Sequence, residues 1–267
     1  MKLEVLVSCM NQKDLSLVEK TKITSDVLLI NQTVNVSDHV TVHRDGRTIR
    51  MISTKERGVS RSRNMAISHA LGDICLLCDD DEILTKEYEI IVCNAFEELP
   101  QADIIIFDLE GNKKFRLKPI LQRLGPLGCL KVVSYQIAFR TERIRSAGIF
   151  FDPFMGAGSG NGSGEENKFL LDCICKGLKI YYVPRTIGLV CHGPSTWFFG
   201  FDQAFFYQRG GATRHMMGVP LSVLYGIYYL IFKRRLYKDS LSTVKAAIAL
   251  FKGIIENPIA KCKSGDV

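Results

Sequence analysis

The sequence predicts an α/β protein: a mixed, mostly parallel sheet with helices on both faces, followed by a helical tail. Three observations carry that expectation. The first half alternates short apolar runs with segments of helical periodicity, the pattern of repeated strand–helix units. One of those runs, Ile74-Cys75-Leu76-Leu77-Cys78, is followed directly by Asp79, Asp80, Asp81 and Glu82. Between Gly156 and Gly164 every second residue is glycine, too many for helix or strand, which marks a loop. A chain of 267 residues suits one large α/β domain with an appendage, or two small domains.

Taken in order, the strand candidates are 3–8, 26–31, 48–53, 73–78 and 103–109, and the helical stretches are 13–22, 60–71 and 85–98. The helix over 60–71 has Ser60 as its expected N-cap, Met65, Ile67, Ala70 and Leu71 as apolar positions, and Gly72 to end it in the left-handed conformation. Arg61, Arg63 and Asn64 crowd its first turn. Cations there oppose the helix dipole, which points to an anionic ligand held by the arginines and free backbone N–H groups together. After the glycine tract, Glu165, Glu166 and Asn167 open a helix with Phe169, Leu170, Cys173 and Ile174 on its apolar face and Gly177 at its end. An ionised carboxylate in a first turn beside a loop can accept a proton from a bound hydroxyl. The ordinary preference of Glu for helix starts is the alternative.

The acidic run sits where ligands of open α/β sheets bind, beyond the carboxyl end of a strand. Carboxylates this dense repel one another unless a cation lies among them. A divalent ion held by oxygen ligands, water and substrate phosphates would serve; an acidic turn opening the next helix is the other reading, and Glu82 is expected to start that helix.

The composition narrows the classes further. Hydrophobic residues at 46% and charged residues at 24% describe a globular chain. The nine cysteines are scattered and odd in number, which argues against a disulfide framework. Cys75 and Cys78, three apart on a strand, point to opposite faces and cannot share a metal. The net charge of +7 favours anionic partners, but no nucleic-acid signature is evident. Residues 1–7 read as a strand without a signal peptide's pattern, so a cytoplasmic location is expected.

The tail changes character. Trp197, Phe198, Phe199, Phe201, Phe205, Phe206 and Tyr207 cluster, and Val219–Phe232 is almost wholly apolar before Lys233-Arg234-Arg235. Those roughly 14 residues are fewer than the ~20 that span a bilayer, and extending back to Met216 makes the case borderline. Over 241–255, Leu241, Val244, Ile248, Phe251 and Ile255 recur at helical spacing with Lys245 and Lys252 off that face. The expectation is a helical region peripheral to an anionic inner membrane face. Packing on the rest of the chain, or on a second copy, stays open.

At Gly58-Val59-Ser60-Arg61-Ser62-Arg63-Asn64-Met65-Ala66-Ile67, Ala70-Leu71-Gly72-Asp73-Ile74 and Asp79-Asp80-Asp81-Glu82, the chain resembles a family 2 glycosyltransferase of the GT-A fold, and its tail resembles those of the bacterial surface-polysaccharide type. Gly164-Glu165-Glu166 resembles that family's acidic acceptor motif. The resemblance covers roughly residues 1–195 and implies a catalytic domain there, with a nucleotide-sugar half at 1–110 and an acceptor half at 111–195. Residues 196–267 form the tail. By the same resemblance, Asp79 contacts the ribose or the metal's shell, Asp81 coordinates Mg²⁺ or Mn²⁺, and Asp80 shares either duty. Arg61 or Arg63 lies near the nucleotide or diphosphate beside Asn64. His192 sits near the donor phosphates and the metal. Glu166 is the implied base, with Glu165 second.

The first two strands end in Ser8-Cys9-Met10-Asn11 and Asn31-Gln32-Thr33 rather than in the family's usual turns. Ser8 and an amide at Asn31 or Gln32 are then the donor-side candidates, with a UDP-sugar as the leading donor. The implied acceptor is a saccharide or lipid-linked saccharide. A sugar nucleotidyltransferase and a catalytically silent GT-A-like binding protein are the competing classes.

Overall fold

The computed structural model describes residues 1–36, 39–111, 117–191 and 200–259. The chain divides into two compact units, residues 1–151 with 166–193, and residues 152–165 with 194–267.

In chain order the first unit contains β1 (Leu3–Met10), α1 (Ser16–Lys20), β2 (Asp26–Gln32), β3 (Val40–Arg44), β4 (Arg47–Thr54), α2 (Val59–His69), β5 (Ile74–Asp79), β6 (Glu82–Leu84) and α3 (Tyr88–Glu98). It continues with β7 (Ile104–Glu110), β8 (Gln122–Arg123), α4 (Pro126–Cys129), β9 (Ile137–Arg140), α5 (Thr141–Ser146), α6 (Glu165–Cys175), whose first residue belongs to the second unit, and β10 (Ile180–Val190). The strands lie in the order β3-β4-β2-β1-β5-β9-β7-β10-β6, with β8 on β10. Strands β4, β2, β1 and β5 are mutually parallel, as are β7 and β10, whereas β3, β6, β8 and β9 run antiparallel to their neighbours. This is the mixed, mostly parallel sheet that the alternation predicts.

Both faces of the sheet are covered, which is why the strands read as continuous apolar runs. Alternate residues serve opposite layers. Val5, Val7, Val27, Leu29, Leu76 and Cys78 pack with Leu17, Val92 and Phe96, while Leu6, Leu28, Ile30, Cys75 and Leu77 pack with Ala66, Ile67 and Phe169. Cys75 and Cys78 thus lie in different layers, as their spacing requires.

The structure corrects several boundaries. Helix α2 is preceded by Gly58 (φ 116°), not capped by Ser60, which is buried inside its first turn. It ends at His69, with Ala70 already extended. Gly72 does not end it in the left-handed region; its role is close approach, since a Cβ there would lie 2.7 Å from Glu4 Cβ and 2.8 Å from the Ile74 carbonyl oxygen. The buried Glu4 carboxylate joins three segments, accepting from Arg50 Nη2 at 2.6 Å, from the Leu71 N–H at 2.5 Å and from the Gly72 N–H at 3.1 Å. Glu82 does not start a helix. It opens the short strand β6, and α3 begins only at Tyr88. The hairpin β3–β4 turns through Asp45 (φ 53°) and Gly46 (φ 75°), an Asp-Gly pair that is itself a hairpin signal.

In the second unit, Gly156, Gly158, Gly160, Gly162 and Gly164 all have positive φ, so the tract is a loop that other residues adopt only with strain. Two helices follow, α7 (Gln203–Phe232) and α8 (Thr243–Glu256). Asp202 caps α7 by accepting from the Phe205 N–H, and Ser242 caps α8 by accepting from the Lys245 N–H. Helix α7 breaks at Gly218 (φ 74°, ψ 178°), and Pro220 falls in the first turn of the resumed helix, where a missing N–H costs nothing. Glycines let α7 and α8 meet backbone to backbone: a Cβ at Gly210 would come 2.1 Å from the Leu250 oxygen, and one at Gly253 would come 2.0 Å from the Tyr207 oxygen. Phe206, Tyr229, Tyr237 and Leu250 form the core of this unit. Trp197, Phe198 and Phe199 of the aromatic cluster lie outside the described residues.

Candidate active site

Register brings the site together. Ser8 of β1 pairs with Ile30 of β2 and with Asp79 of β5, and Asn31 pairs with Cys9 and with Ser53 of β4. The carboxyl ends of four parallel strands therefore lie level, at the edge where such sheets bind ligands. The first turns of α2 abut this edge: Ser62 Oγ donates to Ser8 Oγ at 2.9 Å.

The two arginines of that helix have different surroundings. Arg63 is 4% exposed; its Nη2 donates to Asp79 Oδ1 at 3.0 Å and to Ser134 Oγ at 2.8 Å. Its guanidinium also lies 5.5 Å from the centre of the Phe151 ring. Arg61 is exposed and has no hydrogen-bond or ion-pair partner among the described residues. The N-cap of α2 is Gly58, which supplies no side-chain cap to its first turn.

All three predicted amides hold backbone. Asn31 Oδ1 accepts from the Gln12 N–H and its Nδ2 donates to the Gln12 carbonyl, each at 2.9 Å, which fixes the exit of β1. Asn64 does the same for Phe151, at 2.7 and 2.8 Å. Gln32 Oε1 accepts from the Gly58 N–H at 2.8 Å and thereby positions the start of α2.

The four acids are not equivalent. Asp79 is half-buried and paired with Arg63. Burial, and then the Asp79 charge, push the Asp80 carboxyl above its usual range, opposed by Lys20. Asp81 is exposed, and its carbonyl accepts from the Cys191 N–H at 2.8 Å. That bond ties the end of β10 to the acidic turn; His192, the next residue, lies outside the described residues. Glu82 is 1% exposed and accepts from the Asp79 N–H through Oε1 at 3.0 Å. Burial, and then Asp79, hold its carboxyl well above the usual range, and its bond to the Asp79 N–H shapes the turn.

Two residues of this site carry no sequence signal. Ser134 and Tyr135 lie in a single 3₁₀ turn before β9. Ser134 accepts from Arg63 and donates to Asp79 Oδ2 at 3.4 Å. Burial pushes the Tyr135 hydroxyl pKa up, and the charges of Glu82, Asp79, Asp81 and Glu166 push it further. The acidic turn and Glu166 thus act on one hydroxyl.

Glu165 and Glu166 open α6 as expected, both buried. The Gly164 N–H donates to Glu165 Oε2 at 3.1 Å, so Glu165 closes the end of the glycine tract. Asn167 Nδ2 donates to the carbonyls of Cys129 and Val132 at 2.9 and 3.1 Å, anchoring the Glu166 turn to the segment that leads into Ser134.

Among the described residues, no group of three His, Cys, Asp or Glu side chains converges as a complete metal cage. The residues nonetheless fit a cation that keeps open positions. Adjacent carboxylates supply hard oxygen donors, and Asp81 at the exposed end of the turn is open to solvent.

Sheet, helix layers and acidic strand end together make this a GT-A-type fold. The sequence model "Glycosyl transferase family 2" matches residues 17–152, half of the chain, and the chain belongs to that family. A comparison with curated proteins returns no match. Among solved structures, S. aureus TarS 1–349 in complex with UDP-GlcNAc is similar with a TM-score of 0.57 at 14% identity, covering 94% of this chain and 70% of that one. A second S. aureus TarS structure is similar with a TM-score of 0.55 at 14% identity over 86% of this chain, which spans only 40% of its partner. The mannosyltransferase PcManGT from Pyrobaculum calidifontis, in complex with GDP-Man and Mn²⁺, is similar with a TM-score of 0.50 at 13% identity, over 99% of this chain and 79% of that one. At these identities the likeness concerns the fold.

Proposed function

We propose that the protein transfers a sugar from a nucleotide-sugar donor to a hydroxyl of a saccharide or lipid-linked saccharide, as in surface polysaccharide or glycolipid synthesis. The observation that carries this reading is the level edge of β1, β2, β4 and β5, where the Arg63–Asp79 pair and the Ser62–Ser8 bond join the start of α2 to the acidic strand end. Support for the donor class comes from the family and from similar proteins whose structures contain UDP-GlcNAc, UDP, or GDP-Man with Mn²⁺.

Asp79 and Asp81 would hold Mg²⁺ or Mn²⁺, an ion that stabilises negative charge on a departing diphosphate. Arg61, in the first turn of α2, binds the same phosphates. Glu166 takes the proton of the acceptor hydroxyl. The hydroxyl oxygen attacks the anomeric carbon from the face opposite the diphosphate; the new C–O bond forms as the old one breaks, inverting the configuration. The nucleoside diphosphate leaves and the proton remains on Glu166.

The deciding experiment is a thermal-shift screen of UDP, GDP and their sugars, with and without Mn²⁺. A donor at a hundred times its Kd stabilises the fold by about 2.7 kcal/mol. A UDP-sugar is expected to raise the midpoint more with Mn²⁺ than without, and Asp81→Ala is expected to remove the metal-dependent part. No response to any nucleotide sugar overturns the reading.

A further inference from the structure

Helix α8 is apolar on two sides. Ala246, Ala249, Leu250, Gly253 and Ile254 are buried in the core it shares with α7. Val244, Ile248 and Ile255 face solvent, 69%, 64% and 75% exposed. The C-terminal arm of α7 repeats this pattern: Gly226, Tyr229 and Leu230 are buried, and Leu221, Leu224, Tyr228 and Ile231 recur exposed at a spacing of three or four. A helix that is apolar all round belongs inside something. Exposed apolar surface on this scale marks an interaction face.

Charge identifies the occupant. Residues 219–256 carry six bases (Lys233, Arg234, Arg235, Lys238, Lys245 and Lys252) against two acids, Asp239 and Glu256. Four of the bases crowd the turn directly after the exposed Phe232. A second copy of the chain meeting this face would set those like charges against one another. Anionic headgroups neutralise them while the acyl region takes the apolar stripes, and Tyr228 suits the boundary between the two.

The kink decides the mode. Helix α7 has 30 residues, enough by length and composition to cross a bilayer. Yet it bends at Gly218, and both arms return to one residue of α8: a Cβ at Gly210 would meet the Leu250 oxygen at 2.1 Å and one at Gly226 the Leu250 side chain at 2.6 Å. Each arm of about 15 residues is ~22 Å long, short of the ~30 Å hydrocarbon core. We infer that α8 and the C-terminal arm of α7 lie within one leaflet of an anionic membrane, without spanning it. This inference stands independently of the sugar-transfer reading.

The test adds full-length protein to preformed vesicles of phosphatidylcholine, alone or mixed with phosphatidylglycerol. Binding is expected to be at least tenfold tighter to the mixed vesicles, and the triple substitution Arg234→Gln, Arg235→Gln, Lys238→Gln is expected to weaken it roughly a hundredfold. Leu224→Gln with Ile248→Gln should abolish binding, with the melting midpoint and the nucleotide response unchanged. Trypsin added outside should cut at Lys233–Arg235 without detergent. Protection of that turn until detergent is added overturns the one-leaflet mode. Equal binding to both vesicles, or apolar substitutions that dissociate a dimer in light scattering while vesicle binding persists, overturns the membrane assignment.

Discussion

Arg61 and Arg63 stand two residues apart in one helical turn, and their surroundings give them separate duties. Arg63 is buried and holds Asp79, whereas Arg61 is exposed and unpartnered among the described residues. Arg61→Gln is therefore expected to leave the urea midpoint nearly unchanged, within about 0.5 kcal/mol, and to raise the donor KM or Kd roughly tenfold, the loss of one charge-assisted hydrogen bond. Arg63→Met should instead cost about 1–3 kcal/mol of stability, because it leaves Asp79 and Ser134 without their buried partner. At the other carboxylates, Glu166→Gln should leave donor-induced stabilisation intact while kcat falls by roughly 10²–10⁴-fold. Loss of turnover in Glu165→Gln with Glu166→Gln still active would move the base by one residue.

At the scale of elements, the close approach of Gly72 to β1 governs how α2 meets the sheet. A methyl group there has the Glu4 Cβ at 2.7 Å, the Ile74 oxygen at 2.8 Å and the Glu4 nitrogen at 2.9 Å as neighbours, two of them backbone. Gly72→Ala should lower stability by about 1–3 kcal/mol, read as a shifted urea midpoint with an unchanged slope. The Glu4 carboxylate anchors the same junction through Arg50, Leu71 and Gly72. Loosening it would displace the first turn of α2 with Arg61 and Arg63 as a set, so the variant should also bind donor more weakly.

For the whole molecule, thiol reactivity gives a direct readout of packing. Burial pushes the thiols of Cys9, Cys75 and Cys129 up to about 12, so at pH 8 only about one in 10⁴ is the reactive thiolate. Cys175 and Cys191 are exposed. Native protein treated with a disulfide reagent at pH 8, followed by peptide mapping, should be modified quickly at Cys175 and Cys191. The buried three should react only at the rate of unfolding. Fast modification of Cys75 or Cys129 would contradict the packed layers on both faces of the sheet.

Most of the sheet was legible because its strands are buried on both faces, so apolar runs bounded by turn residues located β1, β2, β4, β5 and β7. The Asp45-Gly46 hairpin carried a readable signal that the strand pattern alone passed over. The two- to four-residue strands β6, β8 and β9 are too short to show a period. Arg61, Glu166 and the acidic run were visible as charges set where helix and strand ends place them. Ser134, Tyr135 and the burial of Glu82 were not, since nothing local distinguishes them from ordinary turn residues.

The sequence by itself determined the alternation of strands and helices, the family motifs and the apolar, basic character of the tail, because each is written in spacing of a few residues. Only the tertiary structure decided which arginine pairs with Asp79, that Asn31 and Asn64 hold backbone, and that α7 turns back on itself. Those outcomes depend on partners 16 to 87 positions away, such as Asp79 for Arg63 and Phe151 for Asn64. Such partners meet only once strand register and helix docking have fixed which side of each element faces inward.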